Sequence, residues 1–470
     1  MTEKNSEFIK KWIYALISVA IGLLIALATP PVGLTIEAMR FVGIFVTMLL
    51  VMSFRVIPEF LAPLLALVAC VIFGVAPFKD VFGAWVADPI WTTVVVFAFA
   101  YGLTKSGLIT RIAFLVLRLF PETFKGQILA LMSTATVMGP LIPNGTAKVA
   151  ILGPFAATLA KASGFVKGSK GVAGMFSAML IPSQILSVAF LTGSPATFMI
   201  LGIMPEEFRA RFSWVGWLTA TSVWLVVGLV LTYFFVSKYY NPGSSFVVPE
   251  NFIQKKLNDL GPMTKDEKVA ALVLAIAFLS LITQSLHGVS NFAILAIAFG
   301  VLMIYGLLTP SDFQTKLPWP LIFMVGFVLC LGGLINITGL QAWMGKTIAH
   351  IVSPYITNAY TLVFTVCVGT YLLRYFVVSM TAFIPLSYAI FSGLASVLGV
   401  EPMVVMFLGY VSANVWNLSF HNVVILQGQS LMEDLPTWKS ILPSSYAFMV
   451  INVIAALASV PLWQALGMIK

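Results

Sequence analysis

Met138-Gly-Pro-Leu-Ile-Pro-Asn-Gly-Thr-Ala-Lys-Val-Ala150 is a polar break inside an apolar segment. Ile128 to Ile142 has the composition of a membrane helix, and apolar helix resumes at Ala147 and runs to Leu159. Between them Pro143 lacks an N–H, and Asn144 and Gly145 continue a helix poorly. Each arm is about 15 residues or fewer, roughly 22 Å at most at 1.5 Å per residue. That is short for a hydrocarbon core of about 30 Å. The spacing therefore predicts a re-entrant helical hairpin whose tip, Asn144-Gly145-Thr146, sits deep in the membrane. Non-helical backbone survives there only when it is buried in protein or lines a wet cavity, which makes the tip a candidate binding site.

The rest of the chain agrees with a membrane reading. Of 470 residues, 60% are hydrophobic and 9% charged, against about 25% charged in soluble domains. Cys70, Cys330 and Cys367 all lie in apolar runs and read as small core residues, not as a disulfide framework. The net charge of +9 comes without any basic cluster interleaved with aromatics, so nucleic acid is not a partner. Lys10 and Lys11 precede an apolar run from Trp12 to Ala28 that exceeds a usual signal-peptide core, so it reads as an uncleaved first helix.

Apolar runs of spanning length fall at 12–29, 37–53, 57–76, 89–105, 171–191, 213–236, 269–286, 290–308, 318–336 and 443–467, with a shorter one at 402–417. The segment 109–120 is amphipathic and reads as an interfacial helix. The expected fold is an all-α polytopic membrane protein of about 11 transmembrane helices. Three short stretches recur in order: Leu103-Thr-Lys-Ser-Gly-Leu108 with Ile335-Asn-Ile-Thr-Gly-Leu340, Asn144-Gly-Thr-Ala with Ser379-Met-Thr-Ala, and Ser194-Pro-Ala-Thr with Ser419-Phe-His-Asn. Their offsets of 232, 235 and 225 residues are nearly constant, which marks an internal repeat. The division is a first helix (1–36), repeat 1 (37–236, hairpin 124–160, broken helix 171–203), a polar linker (237–268) and repeat 2 (269–470, hairpin 356–397, broken helix 402–427). An odd number of crossings per repeat inverts the second copy, the design of many secondary transporters. With the N-terminus and linker in the cytoplasm, 18 of the 26 Lys and Arg fall inside, 6 outside and 2, Lys148 and Arg374, within the hairpins. This matches the positive-inside rule and favours that orientation.

Four elements converge in this scheme: two hairpin tips and two helix breaks. Ser194 before Pro195 is an N-cap followed by a favoured first helical position. Ser419 is placed to cap the second half-helix likewise, and Asn144 and Ser379 to cap the returning arms. Each half-helix N-terminus carries about +0.5 charge, so four sum to roughly +2, suited to a divalent anion. Every Asp and Glu falls outside the expected membrane cores or at their ends, so the carboxylate relays typical of cation pumps are not expected. Thr146, Thr197, Thr381 and Asn422 add polar groups, Lys148 and Arg374 add charge, His421 could carry a proton, and Met380 reads as packing. His287 and His350 receive no role.

These residues resemble a known family. Pro143-Asn-Gly-Thr-Ala-Lys148 is similar to the Pro-Ser-Asn-Thr-Ala-Arg signature of the divalent anion:sodium symporters, nearest the bacterial citrate, tartrate and succinate antiporters and the plastid oxoglutarate/malate translocators. Ser379-Met-Thr-Ala resembles the second Ser-Asn-Thr tip, and Ser194-Pro-Ala-Thr and Ser419-Phe-His-Asn resemble the paired Thr-Pro-Pro-Asn breaks. The resemblance covers essentially the whole chain. It implies a homodimeric elevator transporter in which Asn144, Thr146, Ser379 and Thr381 bind substrate carboxylates. Gly145, Thr192, Gly193, Ser194 and Asn422 would frame sodium sites together with Asn144 and Ser379. The departures are specific: the central tip amide is replaced by Gly145 in the first tip and by Met380 in the second, and Met380 is a poor ligand for a hard cation. Sodium-independent exchange of organic di- or tricarboxylates is therefore expected, with no cofactor. Sodium- or proton-coupled symport is the alternative. An enzyme is disfavoured by three scattered His and no membrane-embedded carboxylate, and a channel by the closed midplane site such repeats build.

Overall fold

The computed structural model describes residues 3–209, 211–243, 246–248, 251–352, 355–377, 380–418 and 422–469, and every regular element within them is a helix. Short connecting helices apart, the elements occur in two passes of the same order. After Glu3–Leu27, the first pass runs Ile36–Ser53, Leu61–Ile72, Asp88–Lys105, Leu108–Leu117, the hairpin Phe124–Val137 with Gly145–Ala162, the broken helix Lys170–Leu180 with Pro195–Ile203, and Trp214–Tyr239. The second runs Lys265–Ile282, Asn291–Tyr305, Trp319–Ile337, Leu340–Val352, Ala359–Arg374 with Met380–Leu398, Pro402–Ala413 with Val423–Leu431, and Trp438–Ala465.

The matched hexapeptides perform the same task in both passes. Gly107 (φ 89°) and Gly339 (φ 69°) take the left-handed conformation between a long helix and a shorter one. At the first corner the two helices meet at 70°. The residue before each glycine folds its hydroxyl back on the helix it ends: Ser106 Oγ donates to the Leu103 carbonyl (2.8 Å) and Thr338 Oγ1 to that of Leu334 (2.7 Å). Leu108–Leu117 buries Leu108, Ile109, Ala113 and Leu117, in keeping with the amphipathic reading. The corner is pinned to the start of the second pass by Lys105–Asp312 (2.6 Å) and Arg111–Glu267 (2.8 Å). Lys105 and the Thr309 hydroxyl hold the Asp312 carboxyl down at about 2.

Among the described residues, six helices are long and apolar enough to span a membrane, or seven if the bent pair counts as one span. Several other expected spans are shorter. Leu61–Ile72 replaces 57–76 because Pro58 precedes it and left-handed Gly74 (φ 66°) follows. Asn291–Tyr305 replaces 290–308, between a Ser290 cap and left-handed Gly306 (φ 89°). A 12-residue helix is only about 18 Å long.

Lipid offers no hydrophobic drive to associate helices, so packing and hydrogen bonds hold them. The last helices of the two passes, Trp214–Tyr239 and Trp438–Ala465, show how. Trp217, Trp224 and Trp463 are fully buried. Trp463 Nε1 donates to the Ala220 carbonyl (2.8 Å) and Trp224 Nε1 to Asn452 Oδ1 (2.9 Å). Asn452 in turn donates to Tyr371 and Ser412, both at 3.0 Å, so every polar atom of that amide is used. The half-helices pack reciprocally. Pro195–Ile203 lies on Met380–Leu398 and Pro402–Ala413, and Val423–Leu431 on Gly145–Ala162 and Lys170–Leu180. Each repeat thus closes its half-helix against the other's hairpin, and the candidate site sits where they cross.

Candidate functional site

At the first tip, the leading arm ends at Val137, earlier than Ile142, and a turn carries the chain to Asn144. Asn144 is extended and caps the returning arm, its Oδ1 accepting from the Thr146 amide (2.9 Å). The cap draws Gly145 and Thr146 into the helix, which therefore starts two residues before Ala147 and runs to Ala162. Gly145 lies against Gln184: a Cβ there would lie 1.8 Å from Gln184 Oε1, so any side chain would move that carboxamide. Thr146 Oγ1 donates to Gln427 Oε1 (2.8 Å) on the second half-helix, so the tip touches both repeats.

The first break is more elaborate than its sequence predicts. Pro182 cannot donate to the preceding turn, and Lys170–Leu180 widens into a π turn (Ile181–Ile185) and then tightens into a 3-10 turn (Leu186–Ala189). After the unwound stretch, Ser194 caps Pro195–Ile203 by accepting from the Ala196 amide (3.3 Å), with Pro195 at the first helical position as anticipated. Two threonines hold the break. Thr192 Oγ1 donates to the Pro140 carbonyl (2.7 Å), tying break to tip. Thr197 Oγ1 donates to the Leu191 carbonyl (2.6 Å), so its hydroxyl hydrogen is spent on the backbone. A Cβ on Gly193 would sit 2.0 Å from the Ser187 carbonyl oxygen, so only glycine closes this turn. Lys148, fully buried, donates from Nζ to the Gly193 carbonyl (3.1 Å).

At the second break, Pro402–Ala413 ends at Asn414, and Asn422 caps Val423–Leu431 by accepting from the Val424 amide (3.1 Å). The cap is thus Asn422, where Ser419 was expected, because helix begins only after the Ser-Phe-His segment. Asn422 Nδ2 also donates to Asn414 Oδ1 (3.2 Å), bracing the two ends of the gap. Arg374, buried at the end of Ala359–Arg374, donates from Nε to the Ala413 carbonyl (2.7 Å) and from Nη1 to that of Val377. The guanidinium therefore spans from the second hairpin's turn to the carbonyl end of the helix before the break, where a cation is favoured. Ser379, Ser419 and His421 lie outside the described residues. Met380 and Thr381 open the returning arm Met380–Leu398, and their side chains lie outside the description.

The site brings together Asn144, Gly145, Thr146, Lys148, Gly193, Ser194 and Pro195 around the first tip. Arg374 and Asn422 lie at the second break, and the Thr146–Gln427 bond joins the halves. Both hairpins and both broken helices are free of Asp and Glu. Three capped half-helix N-termini, each worth about +0.5, and two buried cations leave a positively polarised region with nothing anionic to neutralise it. Sequence reasoning missed Gln184 and Gln427. The usable signal was a carboxamide in an apolar membrane run, a group that needs a hydrogen-bond partner once buried.

A family model described as the sodium:sulfate symporter transmembrane region matches residues 9–467. The chain is 25% identical over 466 residues to dicarboxylate transporter 1, chloroplastic, of Arabidopsis thaliana, covering 96% of this chain and 81% of that one. It is 24% identical over 354 residues to the putative malate transporter YflS of Bacillus subtilis, covering 73% and 74%. Its fold is similar to the crystal structure of the Alcanivorax borkumensis YdaH transporter, with a TM-score of 0.57 at 12% identity over 98% of each chain. The chain therefore belongs to the sodium:sulfate symporter family, the divalent anion:sodium symporters that its tip motifs resemble, and is an integral membrane transporter and not an enzyme.

Proposed function

We propose that this protein exchanges organic dicarboxylates or tricarboxylates across the membrane by alternating access. One observation supports the reading: buried Lys148 on the first capped arm bonds the break before the capped helix Pro195–Ile203, Thr146 bonds Gln427 on the capped helix Val423–Leu431, and neither hairpin nor broken helix supplies a carboxylate. Such a region stabilises a divalent anion and disfavours a cation. The printed names of the relatives, a chloroplast dicarboxylate transporter and a putative malate transporter, support carboxylates as the substrate class. In this reading the two hairpins and broken helices move as one body against the corner helices. Two such protomers form a dimer in a bacterial inner membrane, with the N-terminus in the cytoplasm.

The position of Lys148 supports exchange over symport. Its ammonium is hydrogen-bonded to the Gly193 carbonyl, one of the oxygens expected to face sodium, so a tethered cation takes the place of a mobile one. The empty carrier would then drag uncompensated charge through a low-dielectric barrier, which opposes return without an anion. Replacing external sodium by choline is expected to leave counterflow of labelled succinate, malate, oxoglutarate, citrate or tartrate from loaded vesicles essentially unchanged, since a carrier whose fixed cation replaces sodium binds none. A steep sodium dependence would restore the second reading, coupled symport of a carboxylate or an inorganic divalent anion, which the family's sodium:sulfate description favours.

Thr146→Ala tests the tip. It removes a hydroxyl bonded to Gln427, a loss of about 0.5–1.5 kcal/mol. The thermal midpoint is expected to move little while KM for the exchanged anion rises severalfold. Unaltered kinetics would take the tip out of the site.

A further inference from the structure

Two carboxamides stand at the first tip in complementary fashion. Gln184 comes from the π turn of the first broken helix and Gln427 from the half-helix of the second. Gln184 is half-buried while Ile181, Pro182, Ser183 and Ile185 beside it are buried, and Asn144, Gly145 and Thr146 are half-buried too. These residues, with exposed Gln427, are therefore open to a ligand at the first tip. Gln184 Oε1 lies where a Cβ on Gly145 would point, and Gln427 Oε1 accepts from Thr146 (2.8 Å). Both amides thus reach the tip, and that of Gln427 bonds to it through its oxygen. Neither amide nitrogen has a hydrogen-bond partner among the described residues. Wide turns of this kind recur at functional sites, and here the turn swings a carboxamide out of an apolar helix onto the tip.

We propose that Gln184 and Gln427 are substrate-recognition residues, each reaching the first tip and donating its N–H pair to the bound dicarboxylate. The proposal deepens the anion-exchange reading and rests on it. The chemistry suits the place. A carboxylate offers roughly four lone-pair positions, and a half-helix N-terminus supplies donors along one direction only. Two neutral amides from opposite repeats add donors from the sides without adding charge, so the polarity set by the helix termini and Lys148 is left as it is. One amide from each repeat also means that ligand binding draws both halves onto one tip.

Gln427→Glu and Gln184→Glu separate the two ends of each amide. Glutamate keeps the side-chain shape and, at position 427, an oxygen for Thr146, and loses the donors, so a purely structural role would survive the change. Gln427→Met and Gln184→Met remove the whole amide without placing a charge near the anion, and affinity lost beyond that of Thr146→Ala, which breaks the same tip bond, reports the donors. Gln254→Glu, on the exposed face of the short helix Phe252–Asp259, serves as the charge control. Purified protein is melted with and without succinate, malate, oxoglutarate, citrate, sulfate or phosphate, and counterflow is measured in vesicles. The expected result is an unliganded midpoint close to wild type, a lost anion-induced rise, and an affinity weakened about tenfold or more in all four variants. Wild-type affinity in the methionine variants overturns the proposal. If the glutamate variants fail to fold, the methionine variants decide it alone. Stabilisation of the wild type by sulfate or phosphate but by no carboxylate retires the dicarboxylate reading and leaves the amides to be judged on that anion. If no anion stabilises the wild type, both readings fall.

Discussion

Lys148→Met is expected to abolish anion exchange while leaving a folded protein. The ammonium is fully buried, its recorded contact is the Gly193 carbonyl at 3.1 Å, and no carboxylate occurs anywhere in its hairpin or in the two broken helices. Holding a charge there costs several kcal/mol after relaxation. Methionine keeps the unbranched shape and removes that cost, at the expense of an unpaired carbonyl worth about 1–3 kcal/mol. The thermal midpoint should therefore hold or rise. Function should not. A unit charge about 5 Å from a substrate carboxylate contributes about 3 kcal/mol at an effective dielectric near 20, roughly a hundredfold in affinity. The measurement is initial counterflow rate beside the melting curve. Loss of exchange with an unchanged midpoint supports a fixed cation at the site. Recovery of transport on adding sodium would show that the lysine stands where a mobile cation acts. Wild-type exchange in the methionine variant would remove Lys148 from the mechanism.

How much of this arrangement could be read from the chain differs by element. The first tip was legible because Pro143-Asn-Gly interrupts an apolar run, and Asn144 then caps as its side chain dictates, although the returning arm is 18 residues long, beyond the roughly 15 expected. Ser194-Pro195 was legible for the same local reason. The corners were legible through Gly107 and Gly339, whose left-handed backbone needs glycine. What escaped was set by distant contacts. Asn422 caps the second half-helix because Asn414 and Val424 are positioned to engage it, and no spacing rule prefers it to Ser419. The π turn at Ile181–Ile185 follows from Pro182 inside a helix, and Gln184 gains meaning only when Gly145 is brought against it. Arg374 read from sequence either as charge for the substrate or as an anchor on backbone carbonyls, and it donates to the carbonyls of Ala413 and Val377. A sequence shows that a cation lies in a hairpin but not which oxygen it meets.

That difference gives the second large effect. Arg374→Gln is expected to destabilise the protein by about 2–4 kcal/mol, since two charge-assisted bonds are lost and buried carbonyls are left unpaired. Exchange should fall further than folding does, because the guanidinium ties the turn of the second hairpin at Val377 to the end of Pro402–Ala413. Without it the gap spanned by Asn414 and Asn422 loses one wall. Arg374→Lys separates anchoring from charge. Lysine keeps the positive charge but is a single point donor on a flexible stem and cannot reproduce a planar fork across two acceptors. If Arg374 anchors, the lysine variant stays impaired in both midpoint and exchange. If it serves the anion's charge, lysine restores exchange while glutamine does not. The geometry predicts the first outcome: Nε and Nη1 are directed at carbonyls belonging to two separate segments, an arrangement that charge alone does not require.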